Sequence, residues 1–182
     1  MKKILLTSTG LDNIKIKEQF LELLKKDINK VKALFITTAA VEPDAIMVLP
    51  LCLEDLLNCN ILKENITVYD MHKALSITEL KKYDVMYVCG GSTDYLVDRI
   101  KELDLSSVIN QYVNEGGIYI GVSAGSVAAS GEYKDGLRFI ENVIDVHCEQ
   151  GTENGVVNSQ DAIYLTDNQA IYITDEQSII FE

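Results

Sequence analysis

Short runs almost free of polar side chains recur along this chain at Lys3–Ser8, Val31–Thr37, Ile66–Asp70, Asp84–Cys89 and Gly117–Val122, and longer amphipathic stretches separate them. A strand with no polar face has to be covered on both sides, so this pattern predicts a parallel sheet sandwiched between helices. Ile16, Phe20, Leu23 and Leu24 recur at helical spacing and predict a helix over 14–29, giving a βαβ unit with the strands on either side. A second helix is expected over 44–58, with Pro50 kinking or restarting it. Ser76 and Glu79 form a capping-box pair opening a short helix to Lys82. Helices over 93–102 and 106–114 follow, and Ala124–Ala129 opens another. In the tail, Ala162–Gln169 and Ala170–Gln177 repeat with a period of eight, which reads as antiparallel strands closing one edge of the sheet. The expected architecture is α/β: a three-layer α/β/α sandwich with a mostly parallel central sheet and a C-terminal antiparallel hairpin, in one domain over residues 1–182.

The charge balance excludes several partners. A net charge of −12 with only Arg99 and Arg138 as arginines repels phosphate backbones and anionic lipid, so neither nucleic acid nor membrane is expected as a partner. Cys52, Cys59, Cys89 and Cys148 have no metal-like spacing, and two histidines complete no evident cluster; no cofactor or structural metal is expected. The opening Met1–Leu6 turns polar at Thr7-Ser8-Thr9, too early for a signal peptide, and reads as a first strand of a cytoplasmic protein.

Ile118-Tyr119-Ile120 runs into Gly121-Val122-Ser123-Ala124-Gly125, a strand feeding G-x-S-x-G into a helix. Such a turn is sharp enough that flanking residues must be small, and it pushes the serine out above the sheet edge as a nucleophile. The N–H of Ala124 then faces an oxyanion formed by attack at Ser123. A serine hydroxyl needs a base, and His72 and His147 are the two candidates; each follows an apolar run, so each could stand at a strand's carboxyl end. Gly90-Gly91-Ser92 leaves Val88-Cys89 and lets backbone N–H groups approach a ligand, with Gly91 as a second oxyanion donor. It lacks the third glycine of a dinucleotide fingerprint.

Val88–Thr93, Tyr119–Gly125, Gly136-Leu137 and Asp145-Val146-His147, in this order, resemble the peptidase E family of serine peptidases, aspartyl dipeptidases related to cyanophycinase on a class I glutamine amidotransferase-like fold. The resemblance implies Ser123 as nucleophile, His147 as base and Gly91 and Ala124 as oxyanion donors. It also implies a small peptide as substrate, preference for Asp, and a homodimer. Ser92 stands where the family has asparagine, which makes it a substrate-binding candidate. Only 24 residues separate Ser123 from His147, a gap shorter than the family's, and no residue matches the acidic member cleanly. Asp135, Glu132 and Glu149 are the nearby carboxylates, with Asp135 the chosen acid; a Ser-His dyad is the other arrangement. The family's basic specificity residue has no counterpart after His147, leaving Lys134 and Arg138 as the nearest cations. The expected function is therefore a serine dipeptidase-like hydrolase working through an acyl-enzyme. The alternative is a weak or inactive binding or regulatory protein of the same fold.

Overall fold

The computed structural model describes residues 1–182. Five parallel strands form its centre: β1 (Lys3–Thr7), β2 (Ala33–Ile36), β3 (Ile66–Tyr69), β4 (Val85–Val88) and β5 (Ile118–Val122). They lie in the order β3-β2-β4-β5-β1, with β3 at one edge. Alternation along each strand sends one set of side chains to each face. Ile4, Leu6, Leu34, Ile36, Met86, Val88 and Tyr119 pack against α4 (Thr93–Glu102) and α5 (Leu105–Asn114) through Leu96, Ile100, Ile109 and Val113. Leu5, Phe35, Val85, Tyr87, Ile118 and Ile120 pack on the other face against Ile16 and Phe20 of α1 (Ile14–Leu23) and Leu56 of α2 (Pro43–Asn58). Each such buried side chain contributes about 1.5–3 kcal/mol, which is why the apolar runs dictate the layering. No helix is long and apolar enough to cross a membrane.

Two helices differ from expectation. The first stops at Leu23, with Leu24 already extended, and Lys26 reaches Asp84 just before β4 (2.8 Å). The second continues through Pro50 without a break, since residue 50 is exposed and the carbonyl it leaves without a backbone donor can be satisfied by water. The short α3 (Ile77–Leu80) carries the expected capping box of Ser76 and Glu79.

The tail divides where its sequence repeats. Ala170–Ile173 (β9) pairs antiparallel with β1 and with β10 (Ser178–Phe181), extending the sheet as the expected hairpin. A short strand, β7 (Gly155–Val156), finishes that edge. The first copy behaves differently: β8 (Ile163–Tyr164) leaves the main sheet and pairs in parallel with β6 (Ile144–Asp145). The same local pattern therefore serves two sheets, because only its second copy lies against the free edge of β1.

Where β1 and β5 end, their backbone groups are tied by α6 (Ala124–Val127). The fully buried Ser126 hydroxyl accepts from Thr7 N–H (2.8 Å) and lies within donating distance of Thr7 C=O (2.7 Å) and Gly121 C=O (2.8 Å). Its loss leaves a buried N–H without an acceptor, a cost of about 1–3 kcal/mol. Ser126→Ala is accordingly expected to lower the free energy of urea unfolding by that amount, while Ser126→Thr, which keeps the hydroxyl, tests whether the bond or the available space governs the loss.

Candidate active site

The carboxyl ends of β1, β4 and β5 converge on one cleft, the place where open α/β sheets bind ligands. Ser123 follows β5 with φ 48° and ψ −109°, a backbone conformation a non-glycine residue adopts only under constraint. Its N–H donates to Thr7 C=O (3.0 Å), and its own C=O accepts from Ser126 and Val127 N–H (2.8 and 3.0 Å). The small neighbours are sterically required. A Cβ on Gly121 would lie 2.7 Å from Gly125 C=O oxygen, and one on Gly125 would lie 2.4 Å from that of Val88. The Gly90-Gly91 loop abuts the same serine: a Cβ on Gly90 would stand 3.1 Å from Ser123 Cβ. Gly91 has φ +135° and a Cβ there would strike Ala39 C=O at 2.1 Å, so only glycine fits. The N–H groups of Gly91 and Ala124 donate to no protein acceptor, leaving both free for a ligand.

His147 Nε2 lies 3.0 Å from Ser123 Oγ, and its Nδ1 lies 2.7 Å from Asp167 Oδ1. The imidazole thus bridges a hydroxyl and a carboxylate in a single hydrogen-bonded series. His147 follows β6 and Asp167 follows β8, so the parallel pairing of Ile144 with Ile163 and Asp145 with Tyr164 sets the two loops side by side. Further bonds hold that register: Leu165 N–H donates to Asp145 C=O (2.9 Å) and Cys148 N–H to Leu165 C=O (3.0 Å). The segment after β1 grips both loops. His147 N–H donates to Ser8 Oγ (3.2 Å), and Thr9 Oγ1 donates to Asp167 C=O (2.8 Å). A hydroxyl on an imidazole whose other nitrogen meets a carboxylate can lose its proton as it attacks a carbonyl, since the carboxylate fixes the tautomer and stabilises the imidazolium.

The structure places the other sequence candidates elsewhere. Asp135 is a correction: its carboxylate accepts from Lys101 Nζ (2.8 Å) on the surface, and the acid at His147 is Asp167. Asp167 lies in the first copy of the tail repeat, where Asp167-Asn168 reads locally as an ordinary turn; a parallel pairing of β6 and β8 was not legible there. Glu132 and Glu149 are exposed and make no bond to His147. His72 pairs with Asp70 (2.6 Å) beyond β3 and lines a different cavity. The Ser92 hydroxyl accepts from Tyr95 N–H (3.3 Å) as the cap of α4, while its N–H donates to Ala39 C=O (2.8 Å). Cys89 is buried, and Arg138 pairs with Glu141.

Comparison with known proteins bears on this geometry. Residues 4–136 match the family model of peptidase family S51. Lmo0363, an uncharacterized peptidase of Listeria monocytogenes serovar 1/2a, is 25% identical over 168 residues, spanning 92% of this chain and 75% of that protein. The crystal structure of a candidate peptidase E protein from Listeria monocytogenes EGD-e superposes with a TM-score of 0.79 at 21% identity, covering 100% of this chain and 98% of that one. A peptidase from an acI-B1 actinobacterium superposes with a TM-score of 0.65 at 14% identity, over 100% and 87% of the two chains. These two structures share the fold described above.

The cleft, about 380 Å³, is walled by Ser8, Thr9, Asp12, Gly90, Gly91, Ser123 and His147, and by Ala45, Val48, Leu51, Cys52 and Asp55 of α2. Asp55 is 6% exposed. Its Oδ2 accepts from Leu11 N–H (2.9 Å) and from the buried Tyr87 hydroxyl. Gly10, at φ +93°, makes the room: a Cβ there would meet Asp55 Oδ2 at 2.2 Å. Burial pushes the Asp55 carboxyl up to about 6, with Asp12 adding to the rise, while the Tyr87 and Leu11 hydrogen bonds and the Lys17 charge oppose it. A carboxyl whose folded value exceeds its unfolded one stabilises the fold most below the unfolded value, near pH 4, and that contribution is lost as pH rises through 6. Urea unfolding of wild type and Asp55→Asn across this range is expected to favour the variant progressively, with a change of order 2–3 kcal/mol between pH 4 and 7.5.

Proposed function

Because the chain belongs to peptidase family S51, we propose that it is a serine peptidase that cleaves small peptides through an acyl-enzyme on Ser123. The observation that carries this reading is the His147 ring bridging Ser123 Oγ at 3.0 Å and Asp167 Oδ1 at 2.7 Å. In this reading Ser123 Oγ attacks the scissile carbonyl carbon as His147 Nε2 takes its proton. The developing oxyanion is received by the free N–H groups of Gly91 and Ala124, and Asp167 keeps the His147 Nδ1 proton in place. His147 then delivers the proton to the departing amine. A water repeats the attack with His147 as base and releases the acyl group as a carboxylic acid.

Three features favour the non-catalytic reading: the short gap between Ser123 and His147, the unmatched acid and Ser92 in place of asparagine. The Asp167 carboxylate at His147 Nδ1 supports the catalytic reading on the second of them. Preference for aspartate, implied by the family resemblance, has no support in the cleft: recognition of a carboxylate side chain calls for a cation, and no Lys or Arg lines it.

A fluorophosphonate probe tests the nucleophile. Wild type is expected to label and Ser123→Ala to stay silent; absence of labelling on folded wild type refutes the acyl-enzyme. Asp167→Asn is expected to slow peptide hydrolysis by about 10²–10⁴-fold through the wrong imidazole tautomer. Asp135→Asn and His72→Ala should leave the rate unchanged, and a large loss in either would overturn the assignment of acid or base.

A further inference from the structure

The acids of the cleft carry an inference about its substrates, which rests on the serine-peptidase reading of Ser123 and goes beyond it. Asp55 comes from α2 and Asp12 from the loop after β1, and both line the same cavity as Ser123 and His147. Asp55 is more than nine-tenths buried, yet only one of its carboxylate oxygens is engaged. Leu11 N–H and the Tyr87 hydroxyl both bond Oδ2, whereas Oδ1 accepts no hydrogen bond from the protein. Nor is Oδ1 sealed in the core, for the one enclosed side-chain polar atom without a partner is Thr38 Oγ1. A buried carboxylate with a free oxygen on a cavity wall is compensated on one side only, and a cationic donor arriving at the free oxygen recovers the rest of the desolvation cost.

The rest of the wall sharpens the choice. Val48, Leu51 and Ala45 supply no donor, and no Lys or Arg lines the cavity. Lys17, whose charge reaches Asp55, donates instead to Asn58 C=O (2.7 Å) outside the cleft. We propose that the cleft selects peptides that place a cationic nitrogen, an ammonium or a guanidinium, beside the scissile bond against Asp55 and Asp12, and that it rejects an acidic side chain there. A carboxylate in this position meets two like charges and no counter-charge. The cation can be supplied by the peptide's own α-ammonium or by a Lys or Arg side chain. The cavity wall presents the same chemistry to either.

Binding to a protein that cannot turn over separates this inference from the catalytic one. In the Ser123→Ala background, calorimetric titrations with Ala-Leu, Lys-Leu, Asp-Leu, N-acetyl-Ala-Leu and N-acetyl-Lys-Leu are expected to show Ala-Leu or Lys-Leu bound at least about tenfold more tightly than Asp-Leu. Loss of Ala-Leu binding on acetylation identifies the α-ammonium as the cation; retention of N-acetyl-Lys-Leu identifies the side chain. Adding Asp55→Asn or Asp12→Asn should bring the discrimination to within about twofold. Asp12 is exposed, so its variant keeps the test informative even if Asp55→Asn compromises folding, which circular dichroism reports. The proposal is overturned if Asp-Leu binds as well as the cationic peptides, if the preference survives Asp12→Asn and every folded Asp55→Asn protein, or if no peptide binds at millimolar concentration. Failure of fluorophosphonate labelling in wild type, with the preference intact and dependent on these acids, would refute the acyl-enzyme and leave the cation selectivity standing.

Discussion

Three consecutive residues at the carboxyl end of β1 hold the site together. Thr7 C=O accepts the N–H of Ser123, Ser8 Oγ accepts the N–H of His147, and Thr9 Oγ1 donates to the C=O of Asp167. Each of these hydrogen bonds would be a modest term alone, about 0.5–1.5 kcal/mol. Their value lies in where they act: they fix the backbone of three residues brought from distant parts of the chain to one rigid strand end. Ser123 and His147 both have positive φ, and such conformations persist only where surrounding contacts over-determine them. The Ser126 hydroxyl completes the anchorage by closing the ends of β1 and β5 on each other.

This arrangement explains why the small residues around Ser123 leave no tolerance. Gly121 and Gly125 allow the strand to turn within a single residue, and Gly91 lets the neighbouring loop close over Ala39. Widening any of these contacts would move the free N–H groups relative to the serine hydroxyl. The constraint on the acidic side of the cleft has the same character. Gly10 yields space to the Asp55 carboxylate, whose burial raises its proton affinity while the hydrogen bonds from Tyr87 and Leu11 favour the charged form. Packing and electrostatics thus act on the same few residues. A cleft with two acids and no Lys or Arg on its wall also differs in charge from one built to recognise aspartate.

Most of the layering was legible locally because burial on two faces leaves a strand no choice but to be apolar throughout. The elbow was legible for a related reason: close backbone approach admits only small residues, and glycines at Gly121 and Gly125 record it in the sequence. The acid was not. Asp167 sits in a turn-like stretch with no pattern of its own, and its place depends on a two-residue parallel bridge between β6 and β8. Nor did the polar Thr7-Ser8-Thr9 segment announce a role, since hydroxyl residues after a strand are common and their partners lie more than a hundred residues away.

The amino-acid sequence by itself determined the sandwich of helices about a parallel sheet, the position of the sharp turn at Ser123 and the glycine loop beside it, because those features follow from burial and steric room within a few residues. Only the tertiary structure decided which histidine meets the serine, which carboxylate meets that histidine, and which charges line the cleft. These are long-range matters: His147 and Asp167 are brought to Ser123 by β6–β8 pairing and by the grip of the β1 end, and no local preference encodes either contact.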